Sequence, residues 1–181
     1  MQFAKLAIAA ATLSLVSVPA AAVTNDQWDN AGTAVTIGLM ATGYGLSIAK
    51  EDNWQGAKQL TFALVGSGAT TELLKQLVHE ERPNGENDQS FPSGHTTIAF
   101  ASAGFMQKRY GWQIGLPATL AAAFVGFTRV QSNNHYIQDV VAGAVIGEVW
   151  AWVVTKPLND NVQVMPWGDS KGGGVSVAAK F

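Results

Sequence analysis

The sequence contains no cysteine, which excludes disulfide bonds, thiolate metal sites and a cysteine nucleophile. Charged residues are also scarce: they make up 13% of the chain, about half the share of roughly 25% found in soluble domains. The formal net charge is −2, so the chain lacks the basic excess of a nucleic-acid-binding protein. Because hydrophobic residues reach 48%, the protein has either a weakly charged surface or a surface partly in lipid.

The N-terminus has the pattern of a secretory signal peptide. Lys5 supplies a positive charge, and the apolar run over 6–18 is followed by Pro19 and a small-residue site at 20–22. We therefore expect cleavage after Ala22 and export to the bacterial periplasm or cell envelope. The alternative is an uncleaved membrane anchor, for which the run is short, because a span needs about 20 apolar residues.

The 181 residues are enough for one domain with its own hydrophobic core. Apolar periodicity and helix-ending residues predict five helices, over about 27–50, 54–81, 94–109, 117–130 and 136–154. Beyond residue 158, alternating residues predict two short strands around a Gly-rich turn. The predicted fold is therefore an all-α helical bundle of about five core helices, with the candidate site at one end and a short C-terminal β-hairpin-like tail.

The predicted organisation is a leader over 1–22, a helical domain over 23–158 and a tail over 159–181. Two helix segments, around 33–49 and 137–154, are apolar enough to be candidate membrane spans. The second predicted helix is not, because it carries Lys58, Glu72 and Lys75, and unpaired charges at mid-bilayer depth cost several kcal/mol. The sequence favours a periplasmic bundle, with membrane association left open, over an integral membrane protein.

The first group of candidate site residues is a pair of cations at the end of the second predicted helix. Lys75 and Arg82 are seven residues apart, nearly two helical turns, so both side chains leave the same helix face. Two stacked cations repel each other unless an anion lies between them or acidic neighbours balance them. The pair therefore indicates either a bound anion or a solvated basic face balanced by Glu80 and Glu81.

The second group is Pro92-Ser93-Gly94-His95, at a predicted loop-to-helix junction. Helix N-termini present free backbone N–H groups and a partial positive charge, which suit a phosphate. Gly94 lets an oxyanion approach the backbone, and Ser93 can cap the helix and also donate to a phosphate oxygen. His95 then lies beside the anion, where it can give or take a proton. The alternative is a plain helix start with an incidental histidine.

The third group contains Arg129, His135 and Asp139. A carboxylate four residues after a histidine can accept a hydrogen bond from one imidazole nitrogen, which leaves the other nitrogen free to attack phosphorus. The planar fork of Arg129 suits two phosphate oxygens. The alternative is a surface His–Asp helix pair, which is common and weak.

Together the three groups resemble the signature of the type-2 phosphatidic acid phosphatases, which bacterial class A acid phosphatases and vanadium haloperoxidases share. The resemblance covers roughly residues 70–145. Its elements, in chain order, are Lys75 with Arg82-Pro83, Pro92-Ser93-Gly94-His95, and Arg129 with His135 and Asp139. The chain departs from the family at Thr128, where a serine is usual; since a hydroxyl is kept, we expect little effect.

The resemblance implies a mechanism and a set of roles. His135 would attack phosphorus to form a phosphohistidine, and Asp139 would orient His135. His95 would protonate the leaving alcohol and then activate water. The non-bridging phosphate oxygens would be bound by Lys75, Arg82, Ser93, the Gly94 amide and Arg129. Because three fixed cations can supply the charge that Mg²⁺ supplies elsewhere, we expect no metal and no other cofactor.

The expected function is a metal-independent phosphomonoesterase of the cell envelope. Its substrate would be a small soluble phosphate ester or a lipid phosphate, such as phosphatidic acid, phosphatidylglycerol phosphate, an isoprenyl pyrophosphate or a lipid A phosphate. The scarcity of charge favours a lipid. A vanadium haloperoxidase, with His135 as the vanadium ligand, is an alternative for which the chain is small. A non-catalytic envelope protein with this fold is a third possibility.

Overall fold

The computed structural model describes residues 23–158, 162–169 and 172–179. Its helices are Asn25–Lys50 (α1), Gln55–Leu77 (α2), Gly94–Tyr110 (α3), Trp112–Gln131 (α4) and Ile137–Val154 (α5). An antiparallel hairpin follows, formed by Val162–Asp169 (β1) and Gly172–Ala179 (β2). These elements confirm the predicted all-α bundle and its C-terminal hairpin. The predicted leader lies outside the described residues, and the division of the chain into three parts stays a prediction.

Two helix boundaries differ from the prediction. α2 ends at Leu77 rather than near residue 81, because the chain becomes extended and Glu80 pairs with Gln89 in an isolated β-bridge. α4 begins directly after Gly111 and contains Pro117, so the break expected between these residues was wrong. Gly111 has φ 90°, a conformation that favours glycine and lets the chain leave α3 and enter α4 within one residue. Pro117 is the sixth residue of α4, so the helix continues through it without the N–H that another residue would donate to the carbonyl oxygen of Gln113.

The central element of the bundle is α3, which packs against each of the other four helices. Its middle is rich in small side chains, and Ala99, Ala101 and Ala103 are completely buried. Phe105 and Met106 fill the space near its C-terminal half and are also buried. Small residues on a central helix let its neighbours approach closely on all sides. The first turn of α3 therefore lies among the helix ends that surround it.

The contact between α3 and α5 is made through glycine. A Cβ atom on Gly147 would lie 2.3 Å from the carbonyl oxygen of Thr97, and one on Gly143 would lie 2.6 Å from that of Ser93. Both obstacles are backbone atoms, so these contacts cannot be relieved by rotating a side chain. The Ser93 amide also donates to the carbonyl oxygen of Asp139 at 3.0 Å. The start of α3 and the start of α5 are therefore held against each other by their backbones.

At the opposite end of the bundle, a buried ion pair joins α1 to α3. Arg109 Nη2 lies 2.6 Å from Glu51 Oε2, and the hydroxyl of Tyr110 donates to Glu51 Oε1 at 2.9 Å. Arg109 Nη1 also donates to the carbonyl oxygen of Lys156 at 2.7 Å. Each charge has several partners, as buried ions require. This network lies at the C-terminal end of α3, whereas the cavity described below lies at its N-terminal end.

We expect Gly147→Ala to destabilise the protein by about 1–3 kcal/mol, the scale of overpacking, because its methyl group would meet the α3 backbone. The free energy of unfolding in a denaturant titration measures this. Gly45→Ala is the matched control, since a Cβ there meets nothing within 4 Å and alanine favours a helix. Equal stability changes in the two variants would contradict the tight α3–α5 contact.

Candidate active site

A cavity of about 170 Å³ lies where the helix ends meet. It is lined by Asp29, Lys75, Arg82, Gly94, His95, Arg129, Asn134 and His135. The structure thus brings together all but two of the predicted site residues. The two others, Ser93 and Asp139, are completely buried and do not line the cavity.

Lys75 lies in the last turn of α2 and is buried. Its Nζ donates to the carbonyl oxygen of Gln89 at 2.6 Å and approaches that of Ser90 at 3.4 Å. Burial, together with the positive charge of Arg82, lowers the pKa of Lys75 from its ordinary value. An ammonium group has three donors, so the loop carbonyls fix the side chain and leave one N–H for an anion.

Arg82 lies in the loop after α2, not on the helix face that the sequence predicted. Its Nε donates to Asn87 Oδ1 at 2.9 Å, and its backbone amide donates to the carbonyl oxygen of Asn87. The loop therefore folds back on itself around the guanidinium. Since the contact with Asn87 uses only Nε, the terminal nitrogens are available to a ligand in the cavity.

The first turn of α3 contributes Gly94 and His95. Ser93 is the N-cap residue, as predicted, but its hydroxyl forms a hydrogen bond with Thr96 Oγ1 at 3.0 Å instead of capping the backbone. A Cβ on Gly94 would contact only Thr71 Cγ2, at 3.9 Å. Packing within the protein therefore does not require a glycine at this position, which faces the cavity.

His95 is half-buried, and its Nε2 lies 3.1 Å from Thr33 Oγ1 of α1. Burial lowers the pKa of His95, and the positive charge of Arg129 lowers it further. The imidazole is therefore mostly neutral near pH 7 when no anion is bound. An anion in the cavity would offset the charge of Arg129, so that His95 would take up a proton more readily.

Arg129, at the end of α4, is almost completely buried and has partners on most sides. Its Nη1 forms an ion pair with Asp29 Oδ1 at 2.7 Å, and its Nη2 donates to the Asp29 carbonyl oxygen at 2.7 Å. Its Nε donates to Thr128 Oγ1 at 3.2 Å. Thr128 stands where the family usually has serine, and the hydroxyl that both residues share helps to fix the guanidinium. Room for this side chain comes from Gly32, where a Cβ would lie 2.2 Å from Nη2.

His135 and Asp139 lie at the start of α5. His135 is 4% exposed, and its Nδ1 is 3.5 Å from Asp139 Oδ2. That carboxylate oxygen accepts hydrogen bonds from Ser90 Oγ at 2.5 Å and from the amide of Tyr136 at 2.9 Å. Burial, with the charges of Arg82 and Lys75, lowers the pKa of His135 to about 4. The ring is therefore neutral, and so nucleophilic, at any pH well above 4.

Sequence reasoning missed Asp29, Asn134 and Ser90. Asp29 lines the cavity and pairs with Arg129 over a separation of 100 residues, and Ser90 binds Asp139 over 49 residues. No local pattern connects residues so far apart. Asn134 directly precedes His135, and Ser90 lies just before the Pro92 motif, so proximity to a motif was the one available signal.

The comparisons with known proteins agree with this geometry. The sequence pattern of the PAP2 superfamily matches residues 56–163, more than half of the chain. The chain belongs to the PAP2 superfamily. This confirms the family that the motifs indicated.

Curated relatives in this superfamily include lipid A phosphatases. The chain is 33% identical over 132 residues to a lipid A 1-phosphatase of Rhizobium johnstonii, and the aligned region covers 63% of this chain and 51% of that protein. It is 36% identical over 75 residues to a lipid A 4'-phosphatase of Helicobacter pylori, covering 41% of this chain and 38% of that protein. The chain thus spans about half or less of the length of these relatives.

Two solved structures share the fold. The crystal structure of Aquifex aeolicus LpxE superposes with a TM-score of 0.53 at 19% identity, covering 77% of this chain and 98% of that one. A transmembrane PAP2-type phosphatidylglycerolphosphate phosphatase from Bacillus subtilis superposes with a TM-score of 0.52 at 23% identity, covering 72% and 74%. Both are PAP2 helical folds, so the bundle described above is the fold of the superfamily.

We expect Asp29→Asn to tighten the binding of inorganic phosphate by about fivefold or less, the scale of a part-exposed ion pair. The change removes a carboxylate that competes with phosphate for Arg129, while an acceptor for the guanidinium is kept. Calorimetric titration with phosphate measures the effect, which should shrink at high salt. Asp26→Asn, on the exposed first turn of α1, is the control. Weaker binding in Asp29→Asn would show that Asp29 holds Arg129 in place instead.

Proposed function

We propose that this protein is a phosphatase of the cell envelope that hydrolyses a lipid phosphate through a phosphohistidine on His135, without a metal ion. The observation that carries the proposal is that one cavity brings together Lys75, Arg82, Arg129, His95 and His135. Three cations bind and neutralise a phosphate group, while two neutral imidazoles supply a nucleophile and a proton carrier. The finer assignments below rest on the geometry of these residues.

The proposed phosphate ligands are the three cations and the N-terminus of α3. Lys75 and Arg82 approach from α2 and the loop after it, and Arg129 approaches from the end of α4. The Gly94 amide adds a backbone donor with the positive end of a helix behind it. Ser93 stays a predicted ligand, since its hydroxyl would have to exchange Thr96 for a phosphate oxygen. These donors favour the charge that develops on the transferring phosphoryl group.

His135 is the proposed nucleophile. Its Nδ1 faces Asp139, so Nε2 is the nitrogen that attacks phosphorus as the bond to the leaving oxygen breaks. The new P–N bond places positive charge on the ring, which the Asp139 carboxylate then stabilises. The present separation of 3.5 Å is longer than a hydrogen bond, and such contacts commonly tighten when a ligand binds.

His95 is the proposed acid and base. A bound phosphate offsets the charge of Arg129, so His95 takes up a proton and delivers it to the leaving alkoxide oxygen. The neutral imidazole then removes a proton from water, whose oxygen attacks phosphorus and breaks the P–N bond. Free phosphate and neutral His135 result. Thr33 supports this role because its hydroxyl holds the His95 ring from α1.

The small size of the cavity supports a substrate whose remaining part lies outside it. A volume of about 170 Å³ is below the usual range of roughly 300–1,000 Å³ for pockets that enclose a whole ligand. Only a phosphate group would then be enclosed. The relatives from Rhizobium johnstonii and Helicobacter pylori are named for lipid A, which is consistent with a lipid phosphate as the substrate.

An apolar outer surface supports contact with lipid. Every fourth residue of α5 points outward and is more than half exposed, namely Ile137, Val141, Val145, Val149 and Val153. α2 and α4 add further exposed apolar side chains, among them Phe62, Val65, Leu73, Leu116 and Leu120. Among the described helices, α1 and α5 are long and apolar enough to cross a membrane by length and composition alone. We propose that this surface contacts acyl chains, since monomeric soluble proteins rarely expose so much apolar area.

We expect His135→Ala to abolish phosphate release, because the nucleophile that forms the intermediate is lost. The measurement is phosphate release with EDTA present, from p-nitrophenyl phosphate, phosphatidic acid, isoprenyl pyrophosphate and lipid A, by wild type and variant. His79→Ala is the matched control, since that histidine is exposed and outside the cavity. Near-normal release by His135→Ala would overturn the mechanism, and inhibition by EDTA would overturn metal independence. If no substrate releases phosphate, the vanadium haloperoxidase alternative is favoured, and vanadate-dependent halide oxidation tests it.

We expect His95→Ala to lower kcat by roughly 10²–10⁴, the usual contribution of a general acid–base residue. The loss should be smaller for p-nitrophenyl phosphate than for an alkyl phosphate, because p-nitrophenolate leaves without needing a proton. Steady-state rates for the two substrates measure this difference. Equal losses of kcat/KM, which reports on formation of the phosphohistidine and not on its hydrolysis, would contradict the acid role of His95.

A further inference from the structure

Only one of the two carboxylate oxygens of Asp139 accepts hydrogen bonds from the described residues. Its Oδ2 accepts from Ser90 Oγ and from the Tyr136 amide, but its Oδ1 is buried and has no donor among the described residues. The whole side chain is 0% exposed. A buried carboxylate oxygen without a donor is costly, so a proton is expected in its neighbourhood.

Glu80 is the side chain that can supply this proton. It lies in the extended segment after α2, between Ser90, whose hydroxyl binds Asp139 Oδ2, and Gln138, the residue directly before Asp139. Its position is fixed from two sides. The Glu80 carbonyl oxygen accepts from the Ser90 amide at 2.9 Å, and its Oε1 accepts from Gln138 Nε2 at 3.2 Å. Two ionised carboxylates cannot form a hydrogen bond, but a protonated one can donate to an ionised one.

We propose that protonated Glu80 donates a hydrogen bond to Asp139 Oδ1 and is a positioning residue for the nucleophile His135. The donor holds the Asp139 carboxylate so that Oδ2 faces Nδ1 of His135. This inference rests on the proposed phosphatase function, which assigns His135 and Asp139 their roles. It adds a residue that lies outside the motif positions and does not line the cavity.

The charges around the pair set the pH at which this arrangement holds. Lys75 from α2 and His135 before α5 interact electrostatically with Asp139, and Arg82 from the loop after α2 acts on both of them. Burial raises the pKa of Glu80 above its ordinary value of 4.5, and its contact with Asp139 raises it further. Loss of the Glu80 proton at higher pH places two carboxylates against each other, so Asp139 loses its donor and its alignment. Turnover should therefore decline as Glu80 ionises.

The first test compares kcat against pH in Glu80→Ala, Glu80→Gln and wild type. Glu80→Ala should lower kcat roughly tenfold, the lower end of the effect of removing an outer hydrogen-bond partner. Glu80→Gln should restore most of that rate, because its amide still donates, and should lose the decline that wild type shows as Glu80 ionises. Glu81→Gln, an exposed neighbour, is the control and should reproduce the wild-type profile. Superposable profiles for wild type and Glu80→Gln, or a normal rate for Glu80→Ala, would overturn the proposal.

The second test does not depend on turnover, so it separates this proposal from the phosphatase function. Protein carrying ¹³C-carboxyl-labelled glutamate is titrated by NMR, and the Glu80 signal is assigned from its absence in Glu80→Gln. Its midpoint should lie above 4.5 in wild type and should fall in Asp139→Asn, where the anionic neighbour is gone. A wild-type midpoint at or below 4.5 would overturn the proposed hydrogen bond from protonated Glu80 to Asp139, whether or not the protein hydrolyses phosphate. This outcome needs only the wild-type protein, so it can be read even if Asp139→Asn does not fold.

Discussion

The close backbone contact between α3 and α5 is the constraint on which the rest of the site depends. Gly143 and Gly147 bring α5 against the carbonyl oxygens of α3, and the Ser93 amide bonds to the Asp139 carbonyl oxygen. At this contact the start of α3 carries Gly94 and His95, and the start of α5 carries His135 and Asp139. Because backbone atoms form the contact, the relative position of these two groups cannot adjust by side-chain rotation. The site is therefore assembled by helix packing before any ligand binds.

Two carboxylates lie beside groups that line the cavity. Asp29 pairs with Arg129 at the mouth of the cavity, and Asp139 lies behind His135. Burial lowers the pKa of both cavity histidines; Arg129 and Arg82 lower that of His95 further, and Arg82 and Lys75 that of His135, as the proposed roles require. A bound phosphate would reverse this balance by neutralising the cations. The proton needed by the leaving group would then be taken up only when a substrate is present.

The bundle has two different surfaces. Its cavity end contains buried polar and charged groups, whereas its sides expose valine, leucine, isoleucine and phenylalanine. A polar cavity at the end of an apolar cylinder is suited to a molecule that has a phosphate at one end and acyl chains along its length. The proposed lipid substrate would satisfy both surfaces at once. A small soluble phosphate ester would use only the cavity.

The sequence by itself determined the family, the five helices of the described residues and six of the eight residues that line the cavity. These depend on local patterns, since apolar periodicity and short motifs such as Pro92-Ser93-Gly94-His95 are read within a few residues. Even so, local reading placed the end of α2 too far along the chain and put Arg82 on a helix. The extended form of that segment depends on the bridge between Glu80 and Gln89, which is a contact across a loop.

Only the tertiary structure decided which side chains surround those groups. Asp29 reaches Arg129 because α1 packs against α4 at Gly32, and no sequence pattern connects residues 100 positions apart. The same is true of Ser90 with Asp139, where the hydroxyl of a loop serine meets a helix carboxylate. Chemistry-bearing residues can be recognised from their type and spacing, whereas their protonation and alignment depend on burial and on neighbours that helix packing brings together.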